Sequence, residues 1–204
     1  MLPLDAGECS VSAWLIDEAV HLAVDPSDME SLLAVKASSA WAAEKNITLK
    51  IWPLLRELGN PAVDVPIGDS QMERLKARRA KARARYRALE DQRARDYVGL
   101  SSTFAFSPQG AESLAIWLRD TSLYRASMAG VWPEMYRGLE TGSDSIAPPQ
   151  SAEDDLNPAP TLDDVSEALA ERGLYTTPAF LVGGQVLIGI GHLPLIEAIW
   201  RARA

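Results

Sequence analysis

The sequence predicts an α/β fold: a mixed four-stranded sheet whose β-α-β and β-β-α halves are separated by an all-helical insertion. Three observations carry the prediction. A strand–helix–strand pattern fills residues 18–52, a long stretch of helical pattern follows, and a double-glycine hairpin with a final helix closes the chain. Sequential parallel strands need a crossover connection, usually a helix, so residues 18–52 read as two parallel neighbours.

In the first strand, from Glu18, Val20, Leu22 and Val24 share one face while Ala19 and Ala23 occupy the other. Apolar residues on both faces mark a central, covered strand. Ser27-Asp28-Met29-Glu30 has the Ser-x-x-Glu spacing of a capping box, in which hydroxyl and carboxylate satisfy orphan amides reciprocally. The helix it opens carries Met29, Leu32, Leu33, Ala37, Ala40 and Trp41 at helical spacing and ends near Asn46. Ile47 to Trp52 alternates as a second strand, stopped by Pro53. A Gly/Pro-rich loop at 59–69 leads to a long helix over 70–98. Ser101 to Pro108 reads as extended, with helices at 109–120 and 122–139. The proline-rich polar stretch 141–160 is a surface loop. Thr161 and Asp164 cap a further helix that stops at Gly173. Residues 179–182 and 185–189 flank Gly183-Gly184, and a type I′ turn needs positive φ at both turn positions, so this is a hairpin. A helix over 193–202 completes the chain. The division expected is 1–56 plus 161–204 for the sheet-containing domain and 57–160 for the helical insertion.

Composition narrows the chemistry. The chain has one cysteine, Cys9, so no internal disulfide and no dithiol cycle are possible. Residues 1–10 contain Asp5 and Glu8 and lack the basic start and apolar stretch of a secretory leader. With the lone cysteine this places the protein in a reducing cytoplasm as an expectation. No run of about 18 apolar residues exists, so no membrane partner is expected. The net charge of −8 is unevenly spread. Residues 71–98 hold ten of the 20 Lys+Arg and four of the 28 Asp+Glu, a local +6, which leaves −14 elsewhere.

Three stretches carry a family resemblance. Tyr175-Thr176-Thr177-Pro178-Ala179-Phe180-Leu181-Val182 followed by Gly183-Gly184 resembles the V-P-T-F-V-V-x-G segment of thioredoxin-like proteins, with Pro178 at the family's cis-proline. The basic run from Lys81 to Val98, followed by Phe104-Ala105-Phe106-Ser107-Pro108, resembles the insertion of the DsbA-like subgroup that contains 2-hydroxychromene-2-carboxylate isomerases and kappa-class glutathione transferases. Val24-Asp25…Ser31-Leu32-Leu33-Ala34 is similar to their F-D-x-x-S-P-x-S-Y-L-A without a gap. The resemblance spans residues 18–200 and implies a thioredoxin-like fold with a ligand cleft beside Pro178, between the core and the helical insertion.

The departures fall on the chemistry. Where thioredoxin-like proteins place Cys-x-x-Cys, and the isomerases a serine that holds the glutathione sulfur, this chain has Asp28-Met29-Glu30-Ser31. An aspartate cannot exchange thiols and repels a thiolate. Where the family has W-G-x-D-R, Gly191 replaces the aspartate that holds glutathione's ammonium, and His192 the arginine. Glutathione, the cofactor implied by the family, is therefore expected to bind weakly or not at all.

Each candidate residue has two readings. Asp28 is an acid, base or cation anchor in the cleft, or a first-turn carboxylate favoured by the helix dipole. Ser27 is a displaced catalytic hydroxyl or the cap. Ser31 matches the family's second serine and lines the cleft, or is structural. Thr177, Pro178 and His192 are ligand-binding by resemblance, and His21, mid-strand, reads as a core or edge residue. Two histidines without nearby cysteines support no zinc site, and no G-x-S-x-G elbow supports a hydrolase triad. The basic helix 71–98 has a thin apolar stripe of Met72, Leu75, Ala82, Tyr86 and Leu89. An acidic surface, in cis or in a homodimer, is a better counterpart for it than nucleic acid, which the remaining −14 repels. Three functions stay open: an isomerase- or transferase-type enzyme on a small aromatic or thiol-conjugated substrate, a non-catalytic ligand- or protein-binding relative, and nucleic-acid association through the basic helix.

Overall fold

The computed structural model describes residues 14–15, 18–54, 71–101, 104, 107–141 and 160–203, without the side chains of Gln71, Arg74 and Thr141. The expectations for Cys9 and residues 1–13, the loop 59–69 and the polar stretch 142–159 lie outside the described residues.

Strand β1 (Val20–Val24) sits between β2 (Leu49–Pro53), parallel to it, and β3 (Ala179–Val182), antiparallel to it. Strand β4 (Gln185–Ile188) extends the sheet beyond β3, giving the order β2-β1-β3-β4. This is the predicted mixed four-stranded sheet, and it is thioredoxin-like. All five residues of β1 are at most 2% exposed, as a doubly covered central strand requires. Gly183 and Gly184 turn the hairpin at φ 58° and 75°, the left-handed region open to glycine at little cost.

Alternation along the strands sorts the core. Ala23, Trp52, Ala179 and Leu181 pack with Val165, Ala168 and Leu169 of α5 (Leu162–Glu171). Leu22, Ile51 and Phe180 point the other way, where α1 (Met29–Lys45) packs on β1 and β2, and α6 (Leu193–Arg201) on β3. The buried face of α1 differs from the one the apolar spacing indicates. Ser31, Ala34, Val35, Ser38, Ser39 and Ala42 are buried, whereas Ala40 is exposed and Trp41 half-buried. Small side chains face inward because they let the helix backbone approach its neighbours: Ser39's carbonyl accepts from Gly130 N–H at 2.9 Å.

An exposed outer edge on β2 would offer unpaired amides to other chains. Here side chains close it. Ser122 Oγ accepts from Ile51 N–H at 2.9 Å and donates to Ile51 O at 2.6 Å. Ser127 Oγ accepts from Leu49 N–H, and Leu49 O accepts from Met128 N–H. These bonds explain a second difference. Helix α3 (Pro108–Tyr124), capped by Ser107, runs past residue 120, and the chain leaves helical geometry until α4 (Trp132–Thr141). Between the helices, Ser127 and Met128 bond the sheet edge and Gly130, at φ 73°, bonds α1. Lys50, buried on β2, donates to the carbonyls of Ser122 (2.7 Å) and Arg125 at the end of α3. A cation there meets the negative end of the helix, and burial lowers the pKa of its ammonium.

Two compact units result: residues 1–55 with 106–204, and residues 56–105. Helices α3 and α4, which the sequence division assigns to the insertion, fall in the first unit: α3 is bonded to β2 through Ser122, and α4 packs on α1. The second unit contains α2 (Gln71–Val98), most of whose described side chains are exposed.

Candidate functional site

The site grows from the turn after β1. Asp25-Pro26-Ser27-Asp28 has Asp at the first position and Pro at the second, the preferences of a type I turn. Asp28 N–H closes it on Asp25 O at 3.0 Å. Asp25 is 9% exposed, and its carboxylate accepts from both Ser27 N–H (2.9 Å) and Ser27 O–H (2.6 Å). Ser27 is thereby drawn away from the helix, and the cap passes one residue on. Asp28, with φ −104° and ψ 130°, is the N-cap of α1, its carboxylate accepting from Ser31 N–H at 3.0 Å. The Ser27/Glu30 capping box expected from the sequence is not what forms, because Asp25 competes for the Ser27 hydroxyl and Asp28 is an equally good cap.

Ser31 is fully buried, and its Oγ accepts from Asp25 N–H at 3.0 Å. Asp25, Ser27, Asp28 and Ser31 thus form one hydrogen-bonded corner joining β1 to α1. Asp25, which the motif match includes but assigns no role, is the member that ties this corner together, and the D-P-S-D turn pattern is the signal for it.

The antiparallel register Ala23–Ala179 brings the residues just before β3 alongside the end of β1. Thr177 and Pro178 therefore lie at the same end of the sheet as that corner. The Thr177–Pro178 peptide bond is cis. Thr177 is 9% exposed, and its Oγ1 is buried with no hydrogen-bond partner. Pro178 O accepts from Gly189 N–H at 2.9 Å, which anchors the 3-10 turn Ile190–His192 beside it. That turn also packs against α1. His192 is exposed at the N-cap position of α6 and makes no side-chain capping bond. All six sequence-predicted site residues therefore converge on one end of the sheet, and three of them, Ser27, Asp28 and Ser31, already have hydrogen-bond partners there.

His21 stands apart in the core, 2% exposed, its Nδ1 accepting from Trp52 Nε1–H at 2.9 Å. Trp14 packs on Trp52 with ring centroids 4.4 Å apart. Among the described residues no group of three or more His, Cys, Asp or Glu is placed to hold a metal ion, and no helix is long and apolar enough to cross a membrane.

A parallel β-α-β unit, an antiparallel hairpin beside it, and a cis-proline immediately before β3 define a protein of thioredoxin-like fold, here without the paired cysteines of its redox members. No family model and no curated protein matches the chain. Among solved structures it is similar to a 2-hydroxychromene-2-carboxylate isomerase, with 14% identity and a TM-score of 0.47, over 91% of this chain and 95% of that one. The fold assignment rests on the strand order and registers themselves.

Proposed function

We propose that this chain is a non-redox, ligand-binding thioredoxin-fold protein whose site is the Pro178 end of the sheet, and that the site does not take glutathione. One observation carries the reading. The Asp28 carboxylate occupies the helix start where the family places a thiolate or its serine partner, and it is committed there as the N-cap. With Ser31 Oγ accepting from Asp25 N–H and Ser27 donating to the Asp25 carboxylate, the three candidate catalytic residues have structural tasks. The ligand chemistry favoured is a small molecule without a thiolate, received by Thr177 and His192.

Glutathione meets two adverse changes. A carboxylate near a thiolate costs about 1–4 kcal/mol at ~4 Å, depending on exposure. Losing the carboxylate at position 191 forfeits a charged hydrogen bond of about 1.5–3 kcal/mol. If additive, these amount to about two to five decades of affinity. The test is calorimetry on the natural chain and on the Asp28→Ser, Gly191→Asp variant. Serine is itself a good cap, and a Cβ at Gly191 meets nothing within 4 Å, so the fold tolerates both changes. The natural chain is expected to show no binding and the variant measurable binding. Millimolar or tighter binding by the natural chain overturns the proposal.

A second reading, an isomerase- or transferase-type enzyme on a small aromatic or thiol-conjugated substrate, is favoured by the buried, unpartnered Thr177 hydroxyl. Turnover of such a substrate that is lost in Thr177→Val would establish it.

A further inference from the structure

We propose that the outer edge of β4 binds an extended segment of a partner protein, added to the sheet as a further strand. The two edges of the sheet are treated differently. The β2 edge is closed by Ser122, Ser127 and Met128. At β4 the register decides which backbone groups are left over. A two-residue turn makes its flanking residues, Val182 and Gln185, a hydrogen-bonded pair, and such pairs alternate along an antiparallel ladder. Phe180–Leu187 is the next, and Gly189 N–H then bonds Pro178 O at 2.9 Å. The N–H and C=O of Val186 and Ile188 therefore point away from β3, and among the described residues nothing bonds them. The usual protections of a free edge are also missing. Between Arg172 and Glu197 the sequence has no Asp, Glu, Lys or Arg, although these make up 24% of the chain. Strand β4 holds no proline and pairs with β3 residue for residue, without a bulge. Ile188 is 59% exposed, and Tyr175, in the segment entering β3, is 73% exposed.

The geometry also selects the occupant. Val186 and Ile188, each with one outward N–H and one outward C=O, offer four hydrogen bonds at the spacing of an extended backbone. Strand β4 has four residues, so it spans about 13 Å at ~3.3 Å per residue. Pairing along that length falls short of the about 1,200–2,000 Å² that a stable complex of two whole proteins buries. A short segment held transiently fits the edge better than a second copy does. Two copies would also bring together chains of net charge −8 each. Because no Asp, Glu, Lys or Arg stands on the edge, the segment is uncharged where it pairs, rich in β-branched residues and free of proline at the paired amides.

The test is fluorescence anisotropy of a labelled heptapeptide, alternating valine and threonine with a lysine at each end, titrated with the full chain. Binding tighter than ~1 mM is expected, and methylating all the peptide's amide nitrogens should abolish it. Ile188→Pro removes an outward N–H that β3 does not use, a change that edge strands tolerate. It should weaken binding about tenfold. Ile188→Lys keeps every backbone group and sets a charge on the edge, which should weaken binding as well. If Ile188→Pro loses its fold by circular dichroism, Ile188→Lys and the methylated peptide decide. A natural chain that leaves the peptide free at ~1 mM overturns the proposal, as does binding that survives methylation or both substitutions. A natural chain that sediments as a dimer, dissociated by Ile188→Pro, overturns it in favour of a second copy.

Discussion

Asp28 shows how one carboxylate serves the fold where relatives place chemistry. Its oxygen satisfies the Ser31 amide, one of the orphan donors at the start of α1. Asp28→Ala should therefore cost about 0.5–2 kcal/mol in a urea titration, with Asp28→Ser nearly unchanged. Equal losses in the two variants would show that Asp28 contributes through charge and not as a cap. Lys50 has the opposite character, a cation held inside by carbonyls. Lys50→Met leaves the carbonyls of Ser122 and Arg125 without their donor, a loss of about 1–3 kcal/mol near neutral pH. The pH dependence follows from the lowered pKa. Between that folded value and the unfolded 10.5, the unfolded chain holds the extra proton, so stability from this residue rises with pH. The gap between natural chain and variant should accordingly widen from pH ~7 towards pH ~10 in guanidinium titrations. A gap that narrows contradicts the assignment.

The β3–β4 hairpin and the β2 edge show how elements hold the site in place. Gly183 and Gly184 both have positive φ, so alanine at either carries a backbone penalty of about 1–2 kcal/mol. Only at Gly183 does a Cβ also meet neighbours, Ile199 and Arg203 at 3.1 Å, whereas at Gly184 it meets nothing within 4 Å. Thermal melts should therefore rank Gly183→Ala below Gly184→Ala, and the reverse order would mean α6 shifts freely over the turn. Because Gly189 N–H bonds Pro178 O, disturbance of the hairpin reaches the site. The site's legibility followed the range of its contacts. Thr177, Pro178 and His192 sit in a contiguous, glycine-punctuated stretch that reads directly. Asp25 stands in the quoted Val24-Asp25 motif without a role, because its bonds to Ser27 and Ser31 appear only once those residues are folded against it.

Over the full chain, one cysteine excludes the dithiol cycle whatever the fold suggests. Insulin reduction should stay at the rate without protein, and activity that survives Cys9→Ser would mean a different redox chemistry. The charge separation, +6 on α2 and −14 elsewhere, is likewise a property of composition that local structure leaves intact.

What the sequence determined by itself is what short-range physics controls. The double-glycine turn, the Thr161/Asp164 cap and the end of α1 near Asn46 all involve neighbours within a few residues. The apolar run of β1 announced a central strand because burial on both faces leaves no other pattern. The tertiary structure alone decided which serines closed the β2 edge, which face of α1 turned inward, and that His21 would accept from Trp52. The shift of the α1 cap from Ser27 to Asp28 is local, set by the bond from Ser27 to Asp25. Ser, Asp and His side chains can each bond several neighbours, and the partner is chosen by which backbone or ring the fold delivers within hydrogen-bond reach.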